Sequence, residues 1–375
     1  MPRIREITTL SVRYPEPNDN NQLRYLTFAK VLTDDGVVGW GEAISQFPAA
    51  AKATEALIEG MAEWLIGRDI HENVALWHEM RSKSWWFGYR GGIASFALSA
   101  IDIALWDARA RTLNLSLVNL LGGARVASLP AVASTHAFDA SLEAEAERHG
   151  RYTRSGDYMG VKIGMGKAGQ ARLGYDIDRD VSFLARLRDE CGPDAWLMMD
   201  RGQSLTWTLD QAIERTRRFE GHGLKWIEEP FEPWQTDEFK VLRGKVDCLI
   251  AGGEREWDER GYAEALGPGV LDVVGCDVGR AGGITGALGV IRLVERHHRW
   301  FNSHAWSSAV NTAVSIALSA STDRCLVQEL KPDPNPMQYE LVDDPIVASN
   351  GRVAVLTGPG IGVEIKESVL HKYRF

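Results

Sequence analysis

The chain has 375 residues, 45% hydrophobic and 25% charged, with a formal net charge of −9. That length exceeds what one simple core takes and points to two domains, or a barrel with an appendage. The acidic balance excludes a basic nucleic-acid footprint, and no apolar run nears membrane-spanning length, so neither partner is expected.

The N-terminus, Met1-Pro-Arg-Ile-Arg-Glu-Ile7, lacks an apolar signal core. Cys191, Cys248, Cys276 and Cys325 are scattered without a CxxC pair, so reduced thiols and a cytoplasmic location are expected. Residues 4–10 and 24–32 alternate as strands do, with a polar loop at Pro15–Asn21 between them. Asp34-Asp-Gly36 is a turn signal before Val37-Val-Gly-Trp-Gly-Glu42, so a small antiparallel sheet opens the chain. Ile93, Phe96, Ala97, Ala100, Ile101, Ala104 and Leu105 then follow the i, i+3, i+4, i+7 rule of an amphipathic helix, and Leu120-Leu-Gly-Gly123 stops the helical region.

From residue 129 short apolar runs alternate with helical patterns. The runs are 129–133, 159–163, 196–199, 224–227, 248–251, 271–274, 300–301 and 326–327. Eight such strands with intervening helices predict a parallel α/β barrel. The last strand lacks a clear following helix, because Lys331-Pro-Asp-Pro-Asn-Pro336 breaks one. The tail from Gly351 to Ile365 reads as strand or loop returning to the first domain.

Three successive runs end in an acid: Asp200, Glu228 and Glu254. Any one alone reads equally well as a helix cap or a solvated charge. Together, at the strand ends where barrel active sites form, they repel unless a cation sits among them. Oxygen-only ligands indicate a hard divalent ion, Mg²⁺ first, one per subunit. The next two strands end in Asp277 and His304, an orienting acid and a general base. Glu329 stands at the last strand end, as a substrate hydrogen-bonding group or a surface charge. Lys162, alone in the run Gly160-Val-Lys-Ile-Gly164, needs a negative partner if buried.

These residues resemble the enolase superfamily, in its mandelate racemase subgroup. The motifs carrying the resemblance are residues 97–123, WIEEP (226–230), GGE (252–254), DVGRAGGITG (277–286), NSH (302–304) and GPGIGVEI (358–365). Asp200, Glu228, Glu254, Asp277 and His304 follow one another at 28, 26, 23 and 27 residues, each about one strand–helix unit. The resemblance implies an α+β capping domain (1–125), a modified TIM barrel of (β/α)₇β form (126–340) and a C-terminal tail (341–375) that completes the cap. It implies Mg²⁺ on Asp200, Glu228 and Glu254. It implies His304, paired with Asp277, as the base that removes the α-proton of a carboxylate substrate through an enediolate. Glu329 is implied to bind the substrate carboxylate, Lys162 to match the first lysine of a Lys-x-Lys motif, and the chain to assemble as a homo-oligomer of two or eight copies.

Gly164 stands where that family places a second, acid/base lysine, and Gly202 where it often has a polar residue. Without a second group, two-base racemisation is disfavoured, and one-base dehydration of an acid sugar to a 2-keto-3-deoxy acid is favoured. A 2-hydroxy-acid racemase or epimerase, and a non-catalytic carboxylate-binding relative, are the alternatives. The two glycines are expected to leave room for a bulkier substrate. Arg201 either fills part of that room or pairs at the surface. Specificity is expected from Pro15–Asn21 and from Ser84–Arg90. In the latter, Trp85 and Tyr89 close over the substrate or pack at the domain interface, and Arg90 meets a distal carboxylate. Trp306 is a pocket residue by position.

Overall fold

Residues 4–43 form an antiparallel sheet of β1 (Ile4–Glu16), β2 (Gln22–Thr33) and β3 (Val38–Ala43) in that order. All residues except 89, 268 and 305 are described by the computed structural model. The polar stretch expected as a loop is the tip of the β1–β2 hairpin. The strands run to Glu16 and from Gln22, and Asn20 and Asn21 take left-handed φ of 52° and 55°. Asparagine tolerates that region better than most side chains.

Helices α1 (Pro48–Ala62), α2 (Asn73–Lys83), the single turn α3 (Trp85–Gly88), α4 (Ile93–Thr112) and α5 (Leu117–Leu120) follow. The apolar period of α4 buries nearly all of it against β3. Gly39 and Gly41 approach so closely that a Cβ would stand 2.2 and 1.9 Å from the carbonyls of Ala104 and Ala100. Only glycine permits that contact.

The barrel strands are β4 (Ser128–His136), β5 (Gly160–Met165), β6 (Trp196–Arg201), β7 (Leu224–Glu228), β8 (Leu249–Gly252), β9 (Val273–Asp277), β10 (Trp300–His304) and β11 (Gln328–Leu330). Neighbours pair in parallel in chain order, with β11 beside β4, and a bridge from Phe301 to Cys325 joins the two ends. Helices α6 (Leu142–Arg154), α7 (Ile177–Cys191), α8 (Leu209–Glu220), α9 (Thr236–Arg243), α10 (Glu259–Ala265), α11 (Gly283–Arg296) and α12 (Ala309–Ala320) make the crossovers. Val132, Met198, Trp226, Ala251, Val273 and Val327 plug the interior, so the barrel is a packed core rather than a pore. The last strand lies further on than the apolar run 326–327 suggests, with Glu329 inside it.

In the tail, β12 (Arg352–Ala354) first pairs antiparallel with β4. The last helix, α13 (Glu367–Lys372), then reaches the capping sheet, where Lys30 pairs with Glu367 at 2.6 Å and the Arg13 amide donates to the Tyr373 carbonyl. The cap is also tied directly to the barrel. Ser99 on α4 accepts from the Gly282 and Gly283 amides, and Asp102 accepts from the amide and hydroxyl of Thr285 at the start of α11. Glu42 on β3 similarly receives the Ser308 and Asn311 amides at the start of α12. These carboxylates complement helix N-termini. All four cysteines are free.

Candidate active site at the barrel mouth

Parallel register places Asp200 opposite Glu228, and His304 opposite Asp277. Glu254 follows β8 by two residues, and ligand oxygens of Asp200, Glu228 and Glu254 all lie within 4.8 Å of one another. Lys162 Nζ enters the cluster from β5, 2.9 Å from Glu228, 3.1 Å from Glu329 and 3.4 Å from Asp200. The buried lysine therefore has its negative partners within the protein. Burial would lower its pKa, but Glu228, Glu329 and Asp200 outweigh that and hold it well above the usual value.

Burial pushes Asp200 and Glu228 up despite Lys162. Burial also acts on Glu254, but His304 and Lys162 overcome it and hold the carboxyl down at about 2. A converging set of desolvated carboxylates is what a divalent cation relieves. The donors are all oxygens, so the set fits Mg²⁺.

His304 Nδ1 lies 2.7 Å from Asp277 Oδ2, and its Nε2 lies 3.2 Å from Glu254. The Gly279 amide fixes the other Asp277 oxygen at 2.8 Å. Burial lowers the imidazole, yet Glu254 and Asp277 raise it to about 9. Glu329 accepts from Asn302 at 2.5 Å, which orients it beside Lys162.

A cavity of about 300 Å³ opens above these groups. Its other wall contains residues that sequence reasoning missed. His136 ends β4, and its Nδ1 lies 2.8 Å from Asp19 on the hairpin tip. Trp306, a pocket candidate by position, is buried and lines the cavity. It stacks on His136 with centroids 4.2 Å apart and donates to Ser134 at 3.0 Å. Burial and the Lys167 charge push His136 down to about 3, and it holds Asp19 down at about 2 against burial. His136 Nδ1 has Asp19 as its hydrogen-bond partner, and its Nε2 makes no hydrogen bond among the described residues. The signal was present in the sequence. The run 129–133 continues as Ser-Thr-His136, an imidazole at a strand end like His304.

The two glycines leave no room. A Cβ on Gly164 would lie 2.4 Å from His136 Cδ2 and 3.0 Å from Lys167 Cε, so those side chains occupy the space of the absent lysine. A Cβ on Gly202 would meet the Met165 carbonyl at 2.2 Å, so that glycine is required by β5. Arg201 is buried, not at the surface. It donates to the Glu229 carbonyl at 2.5 Å and pairs with Glu232 at 3.0 Å, which braces the turn after β7.

The second specificity stretch is not in the cavity. Trp85 and Trp86 are 59% and 78% exposed and are not among the residues that line the cavity. They sit on the outer face of α3 and touch each other edge to face. Arg90 is exposed and absent from the cavity wall, and Tyr89 lies outside the described residues. Their aromatic-basic composition was a misleading cue, because α3 is a one-turn surface element.

Comparison with known proteins bears on this geometry. Residues 140–369 match the family described as enolase C-terminal domain-like, and residues 19–122 match the mandelate racemase / muconate lactonizing enzyme N-terminal domain. D-galactarolactone cycloisomerase of Agrobacterium fabrum is 29% identical over 97% of this chain and 96% of its own. D-gluconate dehydratase of Thermoproteus tenax is 29% identical over 100% of this chain and 74% of its own. The crystal structure of 3,6-anhydro-D-galactonate cycloisomerase from Zobellia galactanivorans superposes with a TM-score of 0.88 at 28% identity, covering 100% and 99% of the two chains.

Proposed function

The chain belongs to the enolase superfamily, in its mandelate racemase branch, and on that premise we propose that it dehydrates a sugar acid to a 2-keto-3-deoxy acid. The supporting observation is the His304–Asp277 pair beside three convergent carboxylates and the Lys162 ammonium. Mg²⁺ on Asp200, Glu228 and Glu254 would supply an electrophile for the substrate carboxylate. Lys162 adds a fixed positive charge where the enediolate forms, and Glu329, when protonated, would donate a hydrogen bond to the carboxylate end. In its neutral form, which a cation on Glu254 would favour by offsetting that carboxylate's charge, His304 takes the α-proton on Nε2 while Asp277 holds Nδ1 and the ring orientation. The electron pair released at the α-carbon then expels the β-hydroxyl. His304 returns its proton to that oxygen, which leaves as water, and the enol tautomerises to the ketone. No helix is long and apolar enough to cross a membrane among the described residues.

His136 favours a second reading. The missing lysine was the reason to set racemisation aside, yet the His136 imidazole stands in its place. With His304 it makes a pair of proton-transfer groups lining one cavity, which is what 1,1-proton transfer needs. Incubation of a sugar-acid library with Mg²⁺ in heavy water separates the two. Dehydration gives a keto acid, lost in His304→Asn. Epimerisation gives deuterium at C2 with inversion and no keto acid. Neither product nor exchange from any acid would overturn both and leave a ligand-binding protein.

A further inference from the structure

Arg24 carries a buried charge that makes no hydrogen bond or ion pair among the described residues. Its side chain projects from β2 into the catalytic cavity and is only 7% exposed, and no described residue lies within hydrogen-bond or ion-pair distance of the guanidinium. The nearby acids are already engaged. Asp19 holds His136 at 2.8 Å, Glu16 holds Lys331 at 2.7 Å, and Glu42 holds the amides of Ser308 and Asn311. Arginine cannot relieve the cost by shedding its proton. What it has is the face of Trp306, 5.0 Å away, itself fixed by His136 and Ser134. A guanidinium held over a ring face by a cation–π contact still has N–H groups to offer a planar anion. Lys167 lines the same cavity, likewise without a hydrogen bond or ion pair among the described residues.

We infer that Arg24 receives a second carboxylate at the far end of the substrate, so that the substrate is a sugar diacid. This rests on the reading above, in which the first carboxylate lies beside Asp200, Glu228 and Glu254. The cavity then has two anion-receiving ends, one made by the barrel and one by the cap. The distal role anticipated for Arg90 falls to a residue on the opening sheet.

The test uses the full chain with Mg²⁺ and pairs of six-carbon sugar acids identical from C1 to C5, with either a carboxylate or a hydroxymethyl group at C6. The diacid of a matched pair should be favoured about 100-fold in kcat/KM, the scale of a buried charge-assisted hydrogen bond. Arg24→Met should remove that preference by lowering kcat/KM for the diacid far more than for the monoacid. A merely structural arginine would lower both members alike. Thermal-shift titration with the same pairs gives a readout independent of turnover. Diacid-selective stabilisation that disappears in Arg24→Met supports the subsite even if no acid is turned over, and in that case only the dehydration reading fails. Should Arg24→Met not fold, the native protein still decides. Equal turnover, or without turnover equal stabilisation, by diacid and monoacid overturns the inference.

Discussion

The barrel mouth has two walls of different construction. One wall is acidic and local in origin: Asp200, Glu228 and Glu254 each stand at or just after the end of their own strand, and parallel pairing brings them together. The other is mixed in charge and long-range. Asp19 and Arg24 come from the opening sheet, His136 from the first barrel strand and Lys167 from the loop after β5. The first wall follows from barrel geometry alone, because every strand delivers its C-terminal residue to the same face. The second is complete only with Asp19 and Arg24 from the cap in place. The acidic wall therefore suits a shared reaction step, and the cap-built wall suits selection among substrates.

The largest effect should come from the acidic wall. Asp200→Asn, Glu228→Gln or Glu254→Gln should each lower kcat/KM by at least ~10³-fold, since electrophilic stabilisation of several kcal/mol is at stake and 1.36 kcal/mol is tenfold. Stabilisation of the fold by Mg²⁺ in a thermal scan should vanish in parallel. A Glu254→Gln protein with unchanged Mg²⁺ response would break the assignment of this wall as a metal site. His304→Asn should cost ~10²–10⁴-fold in α-proton exchange, the usual worth of a positioned base, with the Mg²⁺ response intact.

The second wall should show a smaller, substrate-dependent effect. His136→Asn and Asp19→Asn should each lower exchange by roughly 10–100-fold, and for only one of two C2 epimers if His136 serves as a proton-transfer group. Equal loss for both epimers would reduce His136 to a support for Trp306. Such a result would return the mechanism to His304 alone.

This division matches what could be read from sequence. Asp200, Glu228, Glu254, Asp277 and His304 each follow a recognisable apolar run, so their common face was predictable. Lys162 was flagged by its isolation in such a run. His136 escaped because Ser134-Thr135 made the strand look finished at Ala133. Arg24 escaped because a charged residue in an alternating strand reads as solvent-facing, whereas its side chain is buried in the cavity wall. Trp85 and Arg90 were chosen on composition, which carries no information about which side of a one-turn helix meets solvent. Gly164 and Gly202 were read as open space. Sequence shows a missing side chain but not the neighbour that fills its volume.

If the second wall depends on the cap being seated, the groups at the seam should affect it through stability. Glu16 and Lys331, both fully or nearly buried and 2.7 Å apart, join the hairpin to the end of the barrel. Glu16→Gln leaves a buried ammonium without its counter-charge and should cost about 3 kcal/mol in urea unfolding. The acidic wall lies outside this contact, so the Mg²⁺ response of the folded fraction should persist. Loss of both together would mean that the two walls are not separable.

The smallest effect is a pH dependence placed at the same seam. Burial raises Glu42 to about 7 against the bonds from Ser308 and Asn311, and raises Asp102 to about 7 against those from Thr285. Their ordinary values are 4.5 and 3.8. Between those values and about 7 the folded protein keeps protons that the unfolded chain has released. Stability from these groups is therefore fully present below about pH 4 and is lost as pH rises toward 7. Asp102→Asn removes one such proton, so its urea midpoint should fall less steeply than that of the native protein between pH 5 and 7. The difference should be on the order of 2 kcal/mol or less. Parallel slopes for the two proteins would show that Asp102 is ionised in the folded state, held there by the N-terminus of α11. The seam would then be an electrostatic contact between a capping-domain carboxylate and a barrel helix, rather than a neutral hydrogen bond.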